Sequence, residues 1–137
     1  MSALHISTPL IPSHPLSKLL GIPVALKLEN LQPSHSFKLR GIGLLCQHEA
    51  QQGASLLVSS SGGNAGLAVA FAGAQIGLPV VVVVPKTTPQ QTRQYLREAG
   101  ADVIVHGDVW DQAHEQAIEI VNARNGAYIH PFDHPLI

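Results

Sequence analysis

Charge is what this chain has least of. Of its 137 residues only 12% are charged, about half the share of an ordinary soluble domain. Eight lysines and arginines stand against nine aspartates and glutamates, a formal net charge of −1. With no basic excess to neutralise a phosphate backbone, nucleic acid is not an expected partner. Low charge combined with 45% apolar residues also argues against disorder, which needs the opposite balance. The single cysteine, Cys46, cannot close an internal disulfide. Long apolar runs are missing too. The longest, around Val80–Val84, is bounded by Pro79 and Pro85 and is far too short to span a bilayer. The first ten residues carry no basic stretch followed by an apolar one, so they do not read as a signal peptide. The expectation is a cytoplasmic protein in a reducing setting, with no membrane partner. Aromatics are few: three phenylalanines, two tyrosines and one tryptophan. Aliphatic residues must therefore fill the core of what the length suggests is one domain.

Four short runs read as buried strands: Leu56 to Val58, Val80 to Val84, Val103 to Val105 and Ala127 to Ile129. They are continuous and mostly β-branched rather than alternating, which suits a parallel sheet covered on both faces. Helix-length segments lie between them, at residues 41–52, 64–76, 89–99 and 109–125. Gly53, Gly77, Gly100 and Gly126 recur about two dozen residues apart and fall where each helix should stop. Thr88 and Pro89 suit a helix cap and first turn, and Asp108 suits a second cap. The pattern predicts an α/β fold with an open four-stranded parallel sheet flanked by helices. Residues 1–39 break this rhythm. A short helix at 16–20 and a strand at 24–28 are expected there, packed on something other than that sheet. The ending at His134-Pro135-Leu136-Ile137 reads as an interruption, as in a piece of a longer protein.

The first chemical motif is Ser59-Ser60-Ser61-Gly62-Gly63-Asn64-Ala65-Gly66. It follows a strand and opens a helix, so free backbone N–H groups and the helix dipole favour an anion. Small residues allow close approach. No phosphate-loop signature and no dinucleotide fingerprint is present, so a carboxylate is the better match. The second motif surrounds Lys38 in Ser34-His35-Ser36-Phe37-Lys38-Leu39-Arg40-Gly41. A lysine in a loop beside an aromatic ring can serve as an amine nucleophile when its charge is disfavoured, although a solvated charge is the plainer reading. His130 and His134 have a spacing that suits a metal only on a helix, and Pro131 and Pro135 disfavour one; no metal site is expected.

Together the two motifs resemble those of fold-type II enzymes dependent on pyridoxal 5′-phosphate (PLP), and most closely the L-serine/threonine dehydratases. Thr8-Pro9-Leu10, Leu26-Lys27-Leu28-Glu29, Val84-Pro85, Thr87-Thr88-Pro89, Gly100-Ala101 and Pro131-Phe132-Asp133 extend the resemblance over nearly the whole chain. It implies the tryptophan synthase β-like fold. Residues 1–40 would be the first part of a large PLP-binding domain, 41–131 the small α/β domain, and 132–137 the return into a large domain that is otherwise missing. It implies PLP as cofactor, with Lys38 as Schiff-base lysine and mover of the substrate α-proton. Phe37 would pack on the cofactor ring and Asn64 would hydrogen-bond it. Ser61, Gly62, Gly63, Asn64 and Ala65 would bind the substrate. The implied activity is β-elimination from L-serine or L-threonine, giving pyruvate or 2-oxobutanoate and ammonia, in a protein that is a homodimer when complete. Arg40 is expected to be structural.

The chain also departs from the pattern. The glycine-rich loop for the PLP phosphate and the residue facing the pyridine nitrogen are absent. His35 stands where relatives often have a small residue and could crowd the site. Gly62 stands where some carry alanine. Two other readings follow: a catalytically inactive small-domain protein, and a sister enzyme performing β-replacement or threonine synthesis.

Overall fold

A computed structural model describes residues 2–137. The four expected strands form a parallel sheet in the order β5-β4-β3-β6, where β3 is Leu57–Ser59, β4 Val80–Val84, β5 Asp102–Val105 and β6 Ala127–Tyr128. Val58 pairs with Val81 on one side and with Tyr128 on the other. Helices α2 (Leu39–Gln51), α3 (Asn64–Ile76), α4 (Gln90–Glu98) and α5 (Trp110–Arg124) connect them.

The valine run explains itself at this point. Side chains alternate across a strand, and in β4 both faces are covered. Val80, Val82 and Val84 join Leu39, Ile42, Val69 and Leu96 in one core, while Val81 and Val83 join Leu56, Val58, Ala113 and Ala117 in another. The second core faces α5, and its small alanines let that helix approach closely. Each fully buried valine contributes about 1.5–3 kcal/mol relative to an exposed one.

Residues before α2 stand apart from this sheet, as their rhythm suggests. β1 (Leu10–Pro12) and β2 (Ala25–Lys27) pair antiparallel as a separate two-stranded sheet around α1 (His14–Leu20). Strand β1 has no counterpart in the sequence reading. It is three exposed residues ending on proline, too short and too polar in setting to carry a pattern.

Three helix boundaries differ from expectation. Helix α4 begins at Gln90, so Pro89 takes the cap position, with extended ψ, rather than the first helical one. Asp108 does not cap α5; its carboxylate pairs with Lys86 at 3.1 Å, and its N–H donates to Gln112 Oε1. At the end of α5, Asn125 adopts the left-handed conformation (φ 48°), not Gly126. A short polar side chain tolerates that region best after glycine. Gly126 instead makes room: a Cβ there would sit 3.3 Å from the carbonyl oxygen of Leu56 on the neighbouring strand.

Candidate active site

Ligands in open α/β sheets sit beyond the carboxyl ends of the strands, and here those ends frame a cavity of about 450 Å³. The segment after β3 contributes Ser60, Ser61 and Gly62, and the segment after β4 contributes Pro85 and Thr88. Trp110 at the start of α5, with Pro131 and Phe132 after β6, completes the lining. The turn from β3 into α3 is drawn tight. A Cβ on Gly66 would lie 2.0 Å from the carbonyl oxygen of Ser61, so only glycine lets the helix pass beneath the loop. Gly62 leaves space toward Thr88, whose Cγ2 would be 3.1 Å from an added Cβ.

Lys38 immediately precedes α2 and is half-buried. Its Nζ donates a hydrogen bond to the carbonyl of Pro131 at 2.6 Å, a partner 93 residues further along the chain. The same Nζ stands 4.5 Å from the ring centroid of Phe132 and 5.7 Å from that of Phe37. A carbonyl and two aromatic faces thus hold the amine against residues that line the cavity.

The loop leading to Lys38 is fixed by a polar network. Arg40 donates from Nε and Nη2 to the two carboxylate oxygens of Glu29, at 2.9 and 2.7 Å, the bidentate geometry that favours both direction and strength. Thr8 and Gln32 also donate to Glu29, and Gln32 exchanges hydrogen bonds with the backbone of Ile6. These donors, Arg40 foremost, hold the Glu29 carboxyl down to about 2. Arg40 therefore has the structural role expected of it. Cys46 is buried in α2, and burial pushes its thiol up to about 12, which leaves it an inert packing group.

Ser61 and Gly62 line the cavity, and Lys38 reaches its rim through Pro131 and Phe132. Gly63 precedes α3, and Asn64 and Ala65 form its first turn, next to the lining rather than in it. Phe37 is 60% exposed and lies beside the Lys38 amine. His35 is held at φ 62°; it does not crowd the Lys38 cavity but lines a separate one with Leu67, Phe71 and Tyr95. His130 and His134 each use Nδ1 to accept backbone N–H groups of the C-terminal segment. Sequence reasoning placed Ser60 in the anion-binding motif but gave no site role to Trp110, Pro131, Phe132 or Tyr128. One signal was available: Ser60 follows Val58 by two, just past β3, so period-two alternation puts it on the Tyr128 side.

The family model described as "Pyridoxal-phosphate dependent enzyme" matches residues 1–137, and the chain belongs to that family. It is 49% identical to the human protein "Serine dehydratase-like", over 97% of this chain and 40% of that protein. It is 48% identical to human "L-serine dehydratase/L-threonine deaminase", over 98% of this chain and 41% of that protein. Among solved structures it superposes on a fungal L-serine ammonia-lyase from Rhizomucor miehei with a TM-score of 0.88 and 39% identity, covering 98% of this chain and 43% of that one. The chain therefore spans about two-fifths of the length of the curated relatives it matches.

The residues present fit the family's cofactor. An aldehyde needs an accessible amine, and Lys38 supplies one beside a cavity large enough for a ring. The lining holds apolar faces from Pro131 and Phe132 and hydroxyls from Ser60, Ser61 and Thr88. Among the described residues no helix is long and apolar enough to cross a membrane.

Proposed function

We propose that this chain carries the lysine and substrate cradle of a PLP-dependent lyase that eliminates water from L-serine or L-threonine, the released enamine then taking water back to give pyruvate or 2-oxobutanoate and ammonia. The carrying observation is the Lys38 amine held at the edge of a cavity walled by the Ser60–Gly62 loop. When bound, PLP supplies the electron sink for the chemistry. Lys38 Nζ then holds the cofactor and moves the substrate α-proton, exchanging its bond to the Pro131 carbonyl for those tasks. Phe37 and Asn64 would face the cofactor ring. Ser61, Gly62, Gly63, Asn64 and Ala65 bind the substrate carboxylate through the Ser61 hydroxyl and free N–H groups at the positive end of α3.

The same reading assigns residues 1–40 and 132–137 to a large domain and 41–131 to a small one. The separate β1–β2 sheet supports that division. It also carries a homodimeric assembly of the complete protein, supported by apolar side chains exposed on residues 10–31. A reducing, cytoplasmic setting suits a lone buried thiol.

The test is borohydride reduction of the complete protein with PLP, with the adduct mapped by peptide mass, alongside turnover of L-serine and L-threonine. Lys38→Ala should remove the pyridoxyl adduct and lower turnover by at least about a hundredfold. Retained turnover, or labelling scattered over other lysines, would overturn the assignment.

A further inference from the structure

A continuous polar path leads away from Ser60 in the cavity lining. Ser60, 1% exposed, shares a 2.6 Å hydrogen bond with the hydroxyl of Tyr128. That hydroxyl shares a second bond, 2.9 Å, with Nδ1 of His114 on α5. The His114 ring is stacked on Trp110 (centroids 5.0 Å apart, planes 7° apart) and meets the Tyr128 ring edge-on at 4.9 Å. Trp110 itself lines the cavity. Two aromatic contacts thus hold the imidazole in one orientation.

Each hydroxyl in this path has one proton to give, so every proton is used along the path only when its bonds point the same way. With Nδ1 bare, Tyr128 donates to His114, Ser60 donates to Tyr128, and Ser60 is left with only lone pairs for the cavity. With a proton on Nδ1, His114 donates to Tyr128, Tyr128 donates to Ser60, and the Ser60 O–H is free to donate into the cavity. The first state repels a carboxylate and the second binds one.

We propose that Tyr128 and His114 are positioning residues that set whether Ser60 offers a proton or a lone pair to a carboxylate in the cavity. The proposal rests on the reading of this cavity as the substrate-carboxylate site. The groups facing His114 are Trp110 on its own helix and Tyr128 on β6, with His130 beyond, its ring 5.9 Å from that of Tyr128. Asp111 and Glu115, the acids nearest along α5, are exposed. The ion pairs among the described residues, Arg40–Glu29 and Lys86–Asp108, do not involve His114.

The experiment uses the complete, cofactor-loaded protein and two probes: propionate, a carboxylate that cannot react, measured by calorimetry, and L-serine, measured by KM and kcat. If added protons turn the path round, propionate affinity and 1/KM should each fall about tenfold as the pH is raised from about 6 to about 8. In Tyr128→Phe, which keeps the ring and its stacking, that fall should flatten while kcat stays within about twofold. Ser60→Ala should flatten it as well. Any pH dependence contributed by Lys38 is common to all three proteins, so the difference between profiles belongs to the path. Retention of the wild-type slope in Tyr128→Phe, or a slope of zero in the wild type, overturns the proposal. If L-serine is not turned over but propionate shows the expected contrast, the lyase reading falls and the relay stands.

Discussion

At the scale of single residues, Glu29 is the group whose charge matters most for the frame around Lys38. Its carboxyl is held down to about 2 by Arg40, Thr8 and Gln32. A carboxyl depressed in the folded state adds stability above its unfolded pKa, and that stability is lost as pH falls through the folded value. The window therefore runs from about pH 4.5 down to about 2. Urea midpoints measured across that window should fall more steeply with acid in the wild type than in Glu29→Gln; parallel slopes would show the network to be energetically silent. The residues of this frame illustrate what a sequence reveals locally. Ser61, Gly62 and Lys38 were recognisable because each sits in a short motif with its own chemistry. Phe132, Pro131 and Trp110 were not, because their part in the site depends on where β6 and α5 bring them, not on their neighbours in the chain.

Among the elements, the β3–α3 turn is the most constrained. Gly66 has no room for a side chain because the blocking atom is a backbone oxygen 2.0 Å away, which cannot rotate aside. Gly66→Ala should cost about 1–3 kcal/mol by overpacking, read from urea unfolding, and should weaken carboxylate binding by displacing Ser61. A variant as stable as the wild type would mean that the loop adapts. The helices and strands of the main sheet were legible because burial on both faces imposes continuous apolar runs. The caps were less so. Pro89, Asp108 and Asn125 are all turn-forming residue types, and which one occupies a given cap position is decided by partners such as Lys86 and Gln112. Strand β1 was invisible because three exposed residues carry no periodicity.

For the whole molecule, the contrast is between a sheet with two filled cores and a preceding segment with little cover. Leu10, Leu19, Leu20, Ile22 and Leu31 are all at least half exposed, an arrangement associated with surfaces that meet other protein. Hydrogen exchange should therefore be slowest in β3 and β4 and faster throughout β1, α1 and β2. Uniform protection across residues 2–129 would argue against the division at residue 40.

The bond between Lys38 and Pro131 also sets an order of events. A chain leaving the ribosome exposes its lysine long before residue 131 has been made, and the amine has no carbonyl to hold it until β6 docks beside β3. Strand β3 must be in place to receive β6. Protection of that single amine from a reagent during refolding would thus time the docking of β6 against β3, with no need to follow any other part of the protein.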